Sequence, residues 1–201
     1  MDPTSAVRTD TLPAIATVVA PGAFASASYA WLLLSEATGL RVFLNQHEAI
    51  ALAAAILLWI VVGFAVESLG SYVEVYLIDR RRPDHRQMLD TWWRYLRIAW
   101  VREPIGQRYL RRLLVSFKFE LNMCVATVST IPGVILLTRF GRISWTTGGP
   151  IVATAIVASA LLFFAARGSA DVLAEVRARL VLGVGEPPFD QNGNPVGSHS
   201  A

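Results

Sequence analysis

Glu67, Ser71 and Glu74 stand at i, i+4 and i+7, a spacing that lines three polar side chains along one helix face. Two carboxylates with a hydroxyl between them can exchange protons, attract a cation or form a polar vestibule. Pairing with a base on a neighbouring helix is the plainer use of the same groups. Glu67 stands out because it closes an uncharged run from Ala49 to Val66. A carboxylate at the edge of such a run is costly unless it faces a bundle interior, water or a base. Glu120 and Asn122 flank the start of a second uncharged run, and Arg167 closes a third. Arg167 is therefore expected to pair with Glu67 or Glu120, and these six residues to form a polar, pore-lining site.

A second group is built for anions. Arg80, Arg81, Arg82 and Arg86 precede a segment in which Trp92, Trp93 and Trp100 alternate with Arg94 and Arg97; Arg111 and Arg112 follow. Guanidinium groups bind phosphate and carboxylate in a fork geometry, and tryptophan suits the headgroup layer. Trp93, Leu96 and Trp100 fall on one helical face. This segment is expected to lie on a membrane surface as an amphipathic helix, anchored by its tryptophans.

The motifs of common enzymes are missing. There is no HExxH, GxSxG, P-loop, GxGxxG or CxxC. Two carboxylates and one remote histidine, His85, are too few for a metal. No catalytic residue, metal or cofactor is assigned, and no nucleic acid is expected.

The elements that must position these residues are apolar helices. Of the 201 residues, 54% are hydrophobic and 16% charged, against about 25% charged in soluble domains. Four stretches carry no charge: Thr11 to Ser35, Ala49 to Val66, Leu121 to Thr138 and Ile143 to Ala166. About 20 helical residues cross a hydrocarbon core of about 30 Å. The expected fold is an all-α integral membrane protein of four transmembrane helices. A hairpin over 1–79 holds helix one (about 12–34) and helix two (about 49–79). A basic cytoplasmic, interfacial helical loop covers 80–118. A second hairpin over 119–182 holds helix three (about 119–139) and helix four (about 146–168), with a cytoplasmic extension in which Glu175 and Arg179 pair. A disordered tail covers 183–201, and the first ten residues form a disordered or interfacial start. That start has two acids and one base, so helix one is read as a span rather than a signal peptide.

Pro21-Gly22 and Pro132-Gly133 fall inside helices one and three, where a missing hydrogen bond and a bare Cα favour a kink. Both pairs are expected hinges. Similar residues precede both, which fits either a repeat of the two hairpins or a chance match between helices rich in Ala, Val and Gly. Small residues four apart, such as Gly22 and Ser26, or Ala155 and Ser159, mark expected helix contacts.

Charge sets the orientation. The stretch Arg80 to Lys118 has eleven bases and three acids, and the remainder seven bases and twelve acids. Such a loop stays on the cytoplasmic side. Both termini are then cytoplasmic, and the Glu36–Glu48 and Arg139–Arg142 connections lie outside, in a bacterial inner membrane. The expected partners are membrane lipids, further copies of the chain, and an anionic ligand or cytoplasmic protein at the basic loop. The leading expectation is a homo-oligomeric pore, channel or membrane effector. The alternative is an accessory or scaffold subunit of a larger complex. An enzyme on lipid-linked substrates, using Glu67, Glu74, Asp79 and His85, ranks third.

Overall fold

The structure, a computed structural model, describes residues 3–79 and 106–184. They form α1 (Pro3–Glu36), α2 (Thr38–Gln46), α3 (Glu48–Val73), α4 (Gly106–Arg139) and α5 (Trp145–Val184), with a π-helical turn over Glu74–Asp79 continuing α3. No strand occurs among the described residues. Four stretches are long and apolar enough to cross a membrane: Ile15–Glu36, Glu48–Ile78, Tyr109–Arg139 and Trp145–Val176. The expected interfacial helix, with Arg80, Arg81, Arg82, Arg86, Arg94, Arg97, Trp92, Trp93 and Trp100, lies outside the described residues, as does the tail beyond Val184.

Two expectations change. Of the two readings of the start, disordered or interfacial, the first gives way, since the chain is helical from Pro3; proline fits a first helical turn, where its missing N–H has no partner to lose. The Glu36–Glu48 connection contains a helix, α2, of nine residues. Leu40, Phe43 and Leu44 recur there at the spacing of an apolar helix face. The His47 ring caps its end, with Nδ1 3.0 Å from the Phe43 carbonyl and the two rings stacked at 4.5 Å.

α4 is the central helix. It packs on α1 and α5 and touches α3, while α3 packs chiefly on α1. α1 and α4 run parallel, joined in register. Asn122 Nδ2 donates to the Thr17 carbonyl at 3.2 Å. Tyr29 Oη donates to the Ser129 carbonyl at 2.9 Å, and Ser28 Oγ to that of Thr130 at 3.4 Å. α3 and α5 run the opposite way and form the flanks. We call the end where α3 finishes and α4 begins the near end. Two apolar clusters hold the bundle: Ala25, Val66 and Ala126, joining α1, α3 and α4, and Ile78, Phe117, Leu121, Ala166 and Ala170, joining α3, α4 and α5 at the near end. α3 and α5 turn Leu57, Phe64, Leu161 and Phe164 outward, each more than half exposed.

Both helices run unbroken through their Pro-Gly pairs, and the glycines serve close packing. A Cβ on Gly22 would strike the α3 backbone, at Trp59 and, 2.6 Å away, the Gly63 amide nitrogen. A Cβ on Gly133 would strike a side chain instead, that of Ser28 on α1. The two pairs are thus used differently: Gly22 faces the next helix of its own hairpin, and Gly133 faces the other hairpin. At the far end Gly141 adopts a φ of 68°, and the Arg142 amide returns to the Leu137 carbonyl at 2.9 Å. That left-handed cap stops α4 before the tight turn into α5.

Candidate functional site

The polar residues singled out above collect at the near end, but not as one group. Along α3 the i, i+4, i+7 spacing does place Glu67, Ser71 and Glu74 on one side of the helix, and Ile78 continues the stripe into the near-end cluster. The residue that gathers Ser71 and Glu74 is Lys118 of α4. Its Nζ donates to Ser71 Oγ at 3.3 Å and forms an ion pair with Glu74 Oε2. The two ionic side chains are 28% and 22% exposed, so the pair is partly shielded from water. Sequence reading counts Lys118 among the bases of the cytoplasmic stretch and misses this role. The signal available was its position: the last base of the basic stretch, with its helix pointing into the bundle.

Two residues further along α4, Glu120 faces the opposite flank. It accepts from Ser169 Oγ of α5 at 2.7 Å and, within its own helix, from Ser116 Oγ at 3.4 Å. α4 therefore grips each flank helix through one serine: Ser71 through a base and Ser169 through an acid. Each serine follows a glycine, Gly70 or Gly168.

Asn122 leaves both groups and lies at the junction of α1, α3 and α4. It is 2% exposed. Its amide nitrogen reaches Thr17, and its oxygen, Oδ1, is buried without a hydrogen-bond partner. That oxygen is aimed at Gly70, where a Cβ would stand 2.5 Å away. Only a residue without a side chain admits Asn122 there.

The expected pairing of Arg167 does not occur. Arg167 is exposed on α5 and makes no ion pair or hydrogen bond with any described residue; its intended acceptor Glu120 is taken by two serines. Glu67, half-buried, also has no partner among the described residues. Arg111 and Arg112 are exposed at the start of α4. Beyond the near end, Arg179 and Glu175 form the expected i, i+4 pair at 2.6 Å.

Cys124 donates its thiol to the Ser159 carbonyl at 3.3 Å, so the one cysteine of the chain packs where α5 crosses α4. Leu121, Asn122 and Pro21 are the largest side chains below 2% exposure. Among the described residues no three of His, Cys, Asp or Glu come together as a metal site. Comparison of the chain with protein-family models, with curated proteins and with solved structures gives no match.

Proposed function

We propose that the chain is an integral membrane protein that works as an assembly of identical copies, with its basic segment reading anionic lipid headgroups and setting the packing of α3 against α4. The observation that carries this reading is the Glu74–Lys118 ion pair. The basic segment starts after the π-helical turn that ends α3 and runs through the first three turns of α4, and this pair joins α3 to the segment's last base. An anion drawn to Arg80, Arg81, Arg82 and Arg86 competes for the same electrostatic balance.

Depth supports insertion. Lys118 and Arg139 of α4 are 21 residues apart, about 31 Å of helix, which matches a hydrocarbon core of about 30 Å. The ion pairs of α4 and its neighbours bracket that slab: Lys118–Glu74 at the near end, and Arg142–Glu36, at 2.7 Å, at the far end. The outward apolar faces of α3 and α5 then meet lipid instead of water. On this reading the near end is cytoplasmic, by the positive-inside rule, and the membrane is the bacterial inner membrane. In such an assembly a conducting path of this protein runs between copies.

Native mass spectrometry from vesicles of mixed phosphatidylglycerol and phosphatidylcholine tests the lipid reading. The expected result is preferential retention of phosphatidylglycerol, lost when Arg80, Arg81 and Arg82 are all changed to glutamine. Equal retention of both lipids by the wild type overturns it. Planar-bilayer recording tests the path: Glu67→Ala changes conductance while leaving insertion intact, and an inserted protein without conductance removes the pore.

A further inference from the structure

Among the described helices, α2 is the one with no buried residue. Its apolar side chains nevertheless take one side. At 3.6 residues per turn, Leu40, Phe43 and Leu44 fall within an arc of about 100°, and the His47 ring stacks on Phe43 at its end. Thr38 and Asn45 stand opposite, and Val42 is the one large apolar residue outside the arc. Leu40 and Phe43 are 38% and 46% exposed. Leu44 is the one side chain of α2 that is half-buried, so the arc includes the side turned to the bundle. The pattern is that of a helix lying on an apolar surface that one copy of the chain does not supply.

The chain holds this arc at a defined level. α2 begins two residues after Glu36 and ends two before Glu48, and those residues are where one apolar span stops and the next starts. Glu36 is also the partner of Arg142, the pair that marks the far edge of the hydrocarbon slab. Nine residues make about 14 Å of helix, less than half of a core of about 30 Å, so α2 is no span. Nor is it needed for closure: neighbouring helices are joined by about 2–8 residues, and here the connection takes eleven, 37–47. Exposed Trp31 of α1 and Trp145 of α5 stand at the same end, and tryptophan suits the headgroup layer.

Resting on the four-span reading above, we infer that α2 lies in the headgroup layer of the far-end leaflet, with Leu40, Phe43 and Leu44 turned into the hydrocarbon edge and Thr38 and Asn45 turned to water. The occupant of the apolar arc is the bilayer itself. Arg41, exposed beside the arc, meets lipid phosphates at that level, as bases do on helices that lie in an interface. A second copy is a poorer occupant. Three apolar side chains offer roughly a few hundred Å², below the about 1,200 Å² at which specific protein interfaces begin. The chain's own remaining segments are poorer still, because Asp79, Gly106 and Val184, where the described residues break off, all lie at the opposite end.

The experiment uses the full chain with Cys124→Ser, which keeps a donor toward Ser159, in vesicles of phosphatidylcholine and phosphatidylglycerol. Single cysteines replace Leu40, Phe43, Thr38 or Asn45 and carry a nitroxide. Collisions with oxygen, which concentrates in lipid, are compared with collisions with a nickel chelate, which stays in water. The expected oxygen-to-nickel ratio is at least several-fold higher at 40 and 43 than at 38 and 45. Nickel reaching all four positions equally overturns the inference, because α2 then stands in water. Exclusion of both probes at 40 and 43 also overturns it, because a protein then covers the arc. Leu161, 65% exposed halfway along the α5 span, is the reference. If a label at 161 meets oxygen alone while 40 and 43 meet nickel, this inference fails and insertion stands. If 161 meets nickel as well, the four-span reading fails with it.

The unmutated chain gives the second arm. Phosphatidylcholine bearing a diazirine at the top of one acyl chain is photolysed in the same vesicles, and the adducts are mapped by mass spectrometry. The expected adducts include Leu40, Phe43 or Leu44. Adducts on α1, α3 and α5 with none on α2, or adducts on α2 confined to Thr38 and Asn45, overturn the inference.

Discussion

The side-chain oxygen of Asn122 points at the bare Cα of Gly70, so that a methyl group there would stand 2.5 Å from Oδ1. The oxygen is buried and unpartnered, and the hydrogen at the methyl's place gives it only a weak C–H contact. Gly70→Ala forces Asn122 aside and strains its bond to Thr17. Overpacking costs about 1–3 kcal/mol, and a lost buried hydrogen bond about 1 kcal/mol more. The gain in helix propensity offsets about 1 kcal/mol. The expected outcome is a net loss of about 2 kcal/mol, seen as a lower thermal midpoint in mild detergent. Gly168→Ala is the control. Nothing lies within 4 Å of its Cβ position, so it leaves the midpoint unchanged or raises it.

How much of this was legible in the sequence follows from what each feature depends on. Helix number and length depend on runs of uncharged residues, which a sequence displays directly. The common side of Glu67, Ser71 and Glu74 depends only on helical periodicity. Which neighbour each residue meets depends on rotation about the helix axis, and matching depth does not encode that. Arg167 matches Glu120 in depth, yet the serine two residues on takes that carboxylate. Gly22 and Ser26 were readable as contact residues because small side chains have few other uses at that spacing. That Gly133 would face α1 rather than α5 was not readable, because it depends on how the hairpins dock.

The α1–α3 crossing is the tightest test of the docking. The obstacle to a side chain on Gly22 is backbone, at Trp59 and Gly63, and backbone cannot rotate away as a flexible side chain can. Gly22→Ala is expected to separate the two helices and cost more than about 3 kcal/mol, beyond the usual range for a single added methyl. Loss of the folded fraction on extraction, or a much lower thermal midpoint, checks it. Gly149→Ala, at a helical glycine with open space around it, keeps the wild-type midpoint. If both substitutions behave alike, the close approach of α1 and α3 is wrong.

The ion pairs at and beyond the near end should differ in strength because their surroundings differ. Glu74 and Lys118 are 22% and 28% exposed and share Ser71. Glu175 and Arg179 are 62% and 78% exposed and only one turn apart. A double-mutant cycle with Glu74→Gln and Lys118→Met should give a coupling of about 1–3 kcal/mol. The same cycle with Glu175→Gln and Arg179→Met should give at most about 0.5 kcal/mol. Raising salt should erase the second coupling and leave most of the first, since shielded pairs are screened less. Equal couplings would mean that the near end is as wet as the α5 extension, and would weaken the case for Glu74–Lys118 as the link between basic segment and bundle.

Orientation rests on charge, and the structure answers half of one apparent conflict. Arg139 and Arg142 at the far end count against placing that end outside. Arg142, however, is held by Glu36, with Nε at 3.0 Å and Nη2 at 2.7 Å from the same carboxylate oxygen. Its charge is met locally and adds little to the bias that retains basic segments in the cytoplasm. In a Cys124→Ser background, Gly39→Cys places a thiol on α2 where nothing crowds it, and Val172→Cys places one on an exposed part of α5 at the near end. A membrane-impermeant maleimide added to intact spheroplasts should label position 39. Position 172 should react only after permeabilisation. Both positions reacting from outside would contradict insertion as four spans. The reverse pattern would put the basic segment outside, where the anionic lipids of the cytoplasmic leaflet cannot be its ligand.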